Sequence, residues 1–181
     1  MATGQEPRMF DDMFAGVVSF IGHSGCGKTT LLEMVIKELK SRGFRVGTVK
    51  HTHCGAEIDQ PGKDTWRFAR AGSDVVALAS AAGIFITEYV EPEAGLGGVV
   101  ALLKDKVDII LTEGYKKLPT LKVLVLGEDD TQPSFCGELL ATVVACRAAG
   151  GRVEFRPEDV VRVAGLLADK LSPAGLGRYD R

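Results

Sequence analysis

The stretch FIGHSGCGKTTLL, residues 20–32, sets three glycines, a lysine and two threonines between an apolar run and a leucine pair. It fits G-x-x-x-x-G-K-[ST] over Gly22, His23, Ser24, Gly25, Cys26, Gly27, Lys28 and Thr29. Glycine has no Cβ to block the torsions that turn successive backbone N–H groups toward one point, and the N-terminus of a following helix adds partial positive charge. Such a loop holds an anion, and the pattern specifies nucleotide phosphates. Position gives the roles: Lys28 reaches the β- and γ-phosphates, the Thr29 hydroxyl takes Mg²⁺, and Thr30 lies toward the α-phosphate. His23 and Cys26 occupy variable positions of the loop and are read as fillers, not as a metal pair or a nucleophile.

Working outward, GVVSFI (16–21) is a β-branched and aromatic run bounded by glycines, the pattern of a buried strand. After the loop, KTTLLEMVIKELKSRG places Leu31, Leu32, Val35, Ile36 and Leu39 on one helical face and stops at Gly43, a C-terminal cap. FRVGTVKH (44–51) restores a strand, completing a right-handed strand–helix–strand unit of a parallel sheet. Further on come a short helix from Asp64 to Ala71, two strands (74–80 and 83–90) close enough to form a hairpin, and a glycine-weakened helix. The continuous apolar strand VDIILTEG (107–114) follows, then strands LKVLVLG and LLATVVAC and a final amphipathic helix introduced by Pro157. The fold class expected is α/β, a mostly parallel sheet between helical layers of the P-loop NTPase type, in one domain over 16–172, with residues 1–15 a flexible leader and 173–181 a loose tail.

A phosphate loop needs an acidic partner for its metal near the end of a neighbouring strand. In VDIILTEGYK, Asp108 falls where the strand begins, whereas Glu113 falls at the carboxyl end, the edge at which α/β sheets bind ligands. Glu113 is therefore expected to hold the metal or position water, with catalysis assigned to Lys28 and Glu113 and metal binding to Thr29 and Glu113. Lys50, His51, His53, Cys54, Asp59, Lys63 and Asp64 crowd into fifteen residues after the second strand. If that strand lies next to the first, they face the phosphate loop and supply a loop for a second substrate or partner. Solvated loop residues, a transition-metal group at His51, His53 and Cys54, and a plain helix start at Lys63 and Asp64 are the alternatives.

The composition narrows the function. Twenty-two Lys and Arg against 24 Asp and Glu give a net charge of −2, which leaves no global field for nucleic acid or anionic lipid. Four scattered cysteines form no C-x-x-C pair, and no apolar run is long enough to cross a bilayer. Reduced thiols, a cytoplasmic location, no nucleic-acid partner and no membrane partner are expected.

Three blocks, GHSGCGKTTLL, VKHTHCGAEIDQPGKDTWRFARAGSD and DIILTEGYK, resemble the molybdopterin-guanine dinucleotide biosynthesis protein B family, MobB, within the wider P-loop GTPases. They cover most of residues 16–116, and the middle block, with K-H-x-H before D-x-x-G-K-D and an A-G pair, is the discriminating one. The resemblance implies GTP and Mg²⁺ as ligands and weak hydrolysis. It also implies an accessory role assisting the nucleotidyltransferase MobA in attaching GMP to molybdopterin, and a homodimer. The apolar hairpin of DVVALASAAGIFITEYV fits dimerisation, since its edge needs covering. Guanine preference comes from the resemblance alone, because GEDDTQPSFCGELL holds no N-K-x-D. Two other classes share the cradle: a small-molecule kinase using ATP, which needs an arginine-bearing lid for which Arg67 and Arg70 are the nearby pair, and a nucleotide sensor without turnover.

Overall fold

A computed structural model of the chain describes residues 13–52, 59–89, 95–148 and 150–171. The expected leader up to residue 12, the tail from 173, and His53 and Cys54 lie outside the described residues. In chain order the elements are β1 (Val17–Ile21), α1 (Lys28–Ser41), β2 (Val46–Lys50), α2 (Asp64–Arg70), β3 (Val75–Ser80), β4 (Gly83–Glu88), α3 (Leu96–Leu103), β5 (Ile109–Glu113), β6 (Leu121–Leu126), β7 (Leu139–Val144), β8 (Cys146–Arg147), β9 (Val153–Glu154) and α4 (Pro157–Leu171). They belong to two compact units, one formed by the chain up to His51 together with Gly97 onward, the other by Thr52–Leu96.

The first unit is built on a five-stranded parallel sheet in the order β2-β5-β1-β6-β7. Sequence reading leaves open whether β2 adjoins β1, and the structure puts β5 between them. Burial explains the order. Strand β5 is apolar along its length and buried at four of five positions, which suits an interior slot, whereas β2 exposes Thr48 and Lys50 and serves as an edge. Alternate residues of β1, β5 and β6 (Val18, Phe20, Ile109, Leu111, Val123, Val125) pack against Leu31, Val35 and Leu39 of α1 and Val160, Val163 and Leu167 of α4. Each such side chain contributes about 1.5–3 kcal/mol by leaving water. Helix α1 ends where its pattern does: Gly43, at φ +90°, donates its N–H to the Lys40 carbonyl while Phe44 N–H returns to Leu39. The strand read through Cys146 stops at Val144, and Cys146–Arg147 instead pairs antiparallel with β9.

The opposite face of the same strands carries polar groups in an otherwise apolar layer. Register sets Thr112, Ser19 and Lys122 side by side across β5, β1 and β6. All three are fully buried. Thr112 Oγ1 donates to Ser19 Oγ at 2.9 Å, and Ser19 Oγ lies 2.6 Å from Thr120 Oγ1. The Lys122 ammonium uses its three protons on the Tyr115 carbonyl (3.1 Å), the Leu118 carbonyl (2.8 Å) and Thr120 Oγ1. A fully satisfied ammonium can stay buried, and it ties the turn that follows β5 to β6.

In the second unit, β3 and β4 form an antiparallel hairpin, in register from Val75 with Glu88 to Ser80 with Gly83, as the sequence spacing suggests. Most of its side chains are exposed, Ile84, Phe85 and Ile86 among them. In α2, Asp64 stands in the first turn 3.6 Å from Arg67, and no side chain caps the helix.

Burial pulls the Lys122 ammonium down from 10.5 to about 8. The unfolded chain therefore holds a proton that the folded chain releases between those values, and stability rises as pH climbs from 8 to 10.5. Lys122→Met should lack that rise and, by stranding buried carbonyls, lose about 1–3 kcal/mol at neutral pH. Urea unfolding of both proteins across this pH range checks it, and parallel curves for the two would contradict the burial described.

Candidate nucleotide and metal site

The site is assembled at the carboxyl ends of β1, β5 and β2. Strand β1 runs into Gly22, where the backbone passes so close to β6 that an added Cβ would lie 2.1 Å from the Val125 carbonyl oxygen and 2.9 Å from Cys26 Sγ. Only glycine fits. The loop closes at Gly27, which takes the left-handed conformation (φ +91°) as the N-cap of α1 and offers no side-chain bond to the helix. No acidic residue stands in the first turn, so the helix presents N–H groups and positive dipole without a competing side chain. Val153 and Phe155 stand against Gly27 on its other side, 2.5 and 2.9 Å from where a Cβ would be.

Within the loop, Lys28 curls back so that Nζ donates to the carbonyls of Gly22 (3.2 Å) and His23. The ammonium is thus folded back onto the loop's own carbonyls. Cys26 is buried and donates its thiol to the Val125 carbonyl at 3.3 Å, and burial pushes that thiol up, the state of a packing residue and not of a nucleophile. A ring nitrogen of His23 lies 3.0 Å from the Thr131 carbonyl. Cys26 is buried within the loop, whereas His23, Ser24, Gly25, Thr29 and Thr30 are exposed.

Register places Glu113 beside Phe20 of β1 on one side and Lys50 of β2 on the other. Its carboxylate is engaged at both oxygens: Thr29 Oγ1 donates to Oε2 at 2.8 Å, and Lys50 Nζ donates to Oε1 at 3.2 Å. Burial pushes this carboxyl up, but the bonds from Thr29 and Lys50 and the charges of Lys50 and Lys28 outweigh it and leave the group below its ordinary value. The structure thus brings together the Thr29 and Glu113 expected to share a metal. A hydroxyl and a carboxylate are oxygen ligands of the type a hard cation such as Mg²⁺ takes. Asp108, the other acidic candidate, is at the far end of β5 in a 2.6 Å ion pair with Arg45, whose hydrogen bond holds its carboxyl down.

The second constellation divides between the units. Lys50 and His51 belong to the first, while Asp59, Lys63 and Asp64 belong to the second. Lys50, grouped in the sequence with a second-substrate loop, bonds to Glu113. His51 donates its N–H to the Glu113 carbonyl at 3.2 Å and sets its ring 4.5 Å from that of Tyr115, which takes φ +54° after Gly114. Asp59 accepts the Gln60 N–H at 2.8 Å, and Lys63 and Asp64 are exposed. Among the described residues, no three His, Cys, Asp or Glu gather as a metal group. Sequence reading missed the Val153 and Phe155 wall and the buried Lys122; a charged residue inside the apolar run LKVLVL was the available signal for the second.

A family model described as "Molybdopterin guanine dinucleotide synthesis protein B", MobB, matches residues 17–147. The chain belongs to the MobB family. Among its curated relatives, a molybdopterin-guanine dinucleotide biosynthesis adapter protein of Haemophilus influenzae is 37% identical over 118 residues, 65% of this chain and 66% of the relative. The protein of the same description from Escherichia coli is 35% identical over 115 residues, 62% of this chain and 66% of that one. The match therefore spans slightly less than two thirds of these relatives. A crystal structure of molybdopterin-guanine biosynthesis protein B (mobB) superposes with a TM-score of 0.67 at 28% identity, covering 86% of this chain and 98% of that chain. Bacillus subtilis MobB does so with a TM-score of 0.67 at 26% identity, covering 87% and 99%. The fold of the MobB family is thus that of this chain, and the matched span contains the glycine loop Gly22–Lys28, Lys50 and Glu113.

The tightness at Gly22 yields a direct test. Gly22→Ala must push β6 away from the β1 end, at a cost of about 1–3 kcal/mol. Urea denaturation measures it, and wild-type stability in the variant would contradict the contact with Val125.

Proposed function

We propose that this chain binds GTP with Mg²⁺ through Gly22–Thr30 and Glu113, and serves as an accessory to MobA in forming molybdopterin guanine dinucleotide. The observation that carries this reading is the 2.8 Å bond from Thr29 to Glu113 at the foot of a cradle over which Lys28 is already bent. Backbone N–H groups at the start of α1 and the Lys28 ammonium hold the phosphates; Thr29 and Glu113 hold the metal, which when bound neutralises charge between phosphate oxygens. Alternatively to holding the metal, the Glu113 carboxylate orients water for slow hydrolysis.

Support for an accessory role comes from the names of the relatives, which are adapter proteins of molybdopterin-guanine dinucleotide biosynthesis. A kinase reading has less behind it. Arg67 and Arg70 lie on the short helix α2, Arg67 3.6 Å from Asp64 and Arg70 5.2 Å from the Trp66 ring centroid, and two arginines on one exposed helix are thin support for a lid. The proposal includes a homodimer assembled through β3–β4, supported by the apolar exposure of the hairpin: Ile84 is 72% exposed and Ile86 65%. Among the described residues no helix is long and apolar enough to cross a membrane; the cytoplasmic location in this reading rests on the cofactor-biosynthesis role of the relatives.

Calorimetry with Mg²⁺ should show GTP preferred over ATP. Lys28→Ala should weaken GTP binding about 10- to 100-fold, the equivalent of losing charge-assisted hydrogen bonds worth about 1.5–3 kcal/mol. Added to purified MobA, the wild-type chain should raise the yield of dinucleotide cofactor. ATP consumption matched by a phosphorylated small molecule would turn the assignment to a kinase, and GTP binding without any phosphate release would turn it to a sensor.

A further inference from the structure

We infer that Lys50 is a resident counter-ion for the metal-binding carboxylate, and that a divalent cation binding at Thr29 and Glu113 displaces it. The inference rests on the functional reading above and adds a residue that opposes the metal. Lys50 and Glu113 are direct neighbours across the β2–β5 pair, with side chains on one face of the sheet. Lys50 Nζ sits 3.2 Å from Oε1, while the other oxygen takes the Thr29 hydroxyl.

The two partners differ in freedom. The Glu113 side chain is 16% exposed and is fixed from both sides, whereas the Lys50 side chain is 66% exposed. A long side chain so open to water regains hydration and rotamer freedom when it leaves, so an ion pair of this kind is weak, typically about 0.2–1 kcal/mol. A dication carried in with nucleotide phosphates offers Glu113 twice the charge. The carboxylate follows the stronger charge and the lysine swings out. Until then the pair neutralises a half-buried carboxylate that would otherwise sit beside the cradle and repel the phosphates. Lys50 thus makes the empty site less hostile to an anion while making it weaker for the cation alone.

The test uses Mn²⁺ as probe in the full chain, counted by electron paramagnetic resonance at saturating GTP. Lys50→Met should bind Mn²⁺ up to about five times more tightly than wild type, the fold-change equivalent to the pair's worth. In a Glu113→Ala background the same lysine substitution should change nothing, because the group competed for is gone. In the wild type, the Lys50 ammonium resonance followed by ¹⁵N NMR should shift toward that of a solvated lysine when Mg²⁺ and GTP are added together. Unchanged or weaker Mn²⁺ binding in Lys50→Met, or an unmoved ammonium signal, overturns the displacement while leaving the nucleotide site intact. A wild-type chain that binds no Mn²⁺ with GTP removes the functional reading, and the inference with it.

Discussion

Parallel pairing of β1 with β5, in a register that sets Phe20 beside Glu113, is the constraint on which the site depends. It brings the end of the acidic strand level with the start of the glycine loop. Because successive residues of a strand face opposite sides, Glu113 then projects on the same side as Ile109 and Leu111, the side covered by α1. Thr29 stands in the first turn of that helix, so the hydroxyl and the carboxylate meet without any long side chain having to be ordered. A slip of one residue would turn Glu113 to the other face and leave the loop without its acid.

That register is reinforced by the polar row through Thr112, Ser19 and Lys122. Burying hydroxyls and an ammonium in a sheet centre is costly unless every donor finds an acceptor, and here no buried side-chain polar atom among the described residues lacks a partner. Hydrogen bonds have direction where apolar contacts do not, so the row distinguishes the native strand alignment from shifted ones that bury similar apolar area. Through Tyr115 and Leu118 it also fixes the turn that leaves Glu113. The polar side of the sheet in this way sets the geometry at the end of its apolar strands.

Much of this was legible in the chain itself. The glycine loop announces its conformation through Gly22 and Gly27, and the apolar run before Glu113 marks the carboxyl end of an interior strand, which separates it from Asp108. Gly43 marks the helix end because no other residue takes its left-handed turn as readily. Less visible were features that depend on distant pairings. The insertion of β5 between β1 and β2, and with it the Lys50 contact, requires strands some sixty residues apart to be adjacent. The Lys122 row needs three strands aligned, and β8 with β9 is too short to carry a periodic pattern.

The double engagement of Glu113 bears on how amide isosteres behave there. Lysine can only donate, so a glutamine at this position would turn its carbonyl to Lys50 and its NH₂ to Thr29. The threonine hydroxyl would then reverse and accept, spending a lone pair on the amide. What passes for a one-charge substitution would therefore also re-aim a neighbouring oxygen, and a smaller aliphatic replacement gives the cleaner subtraction.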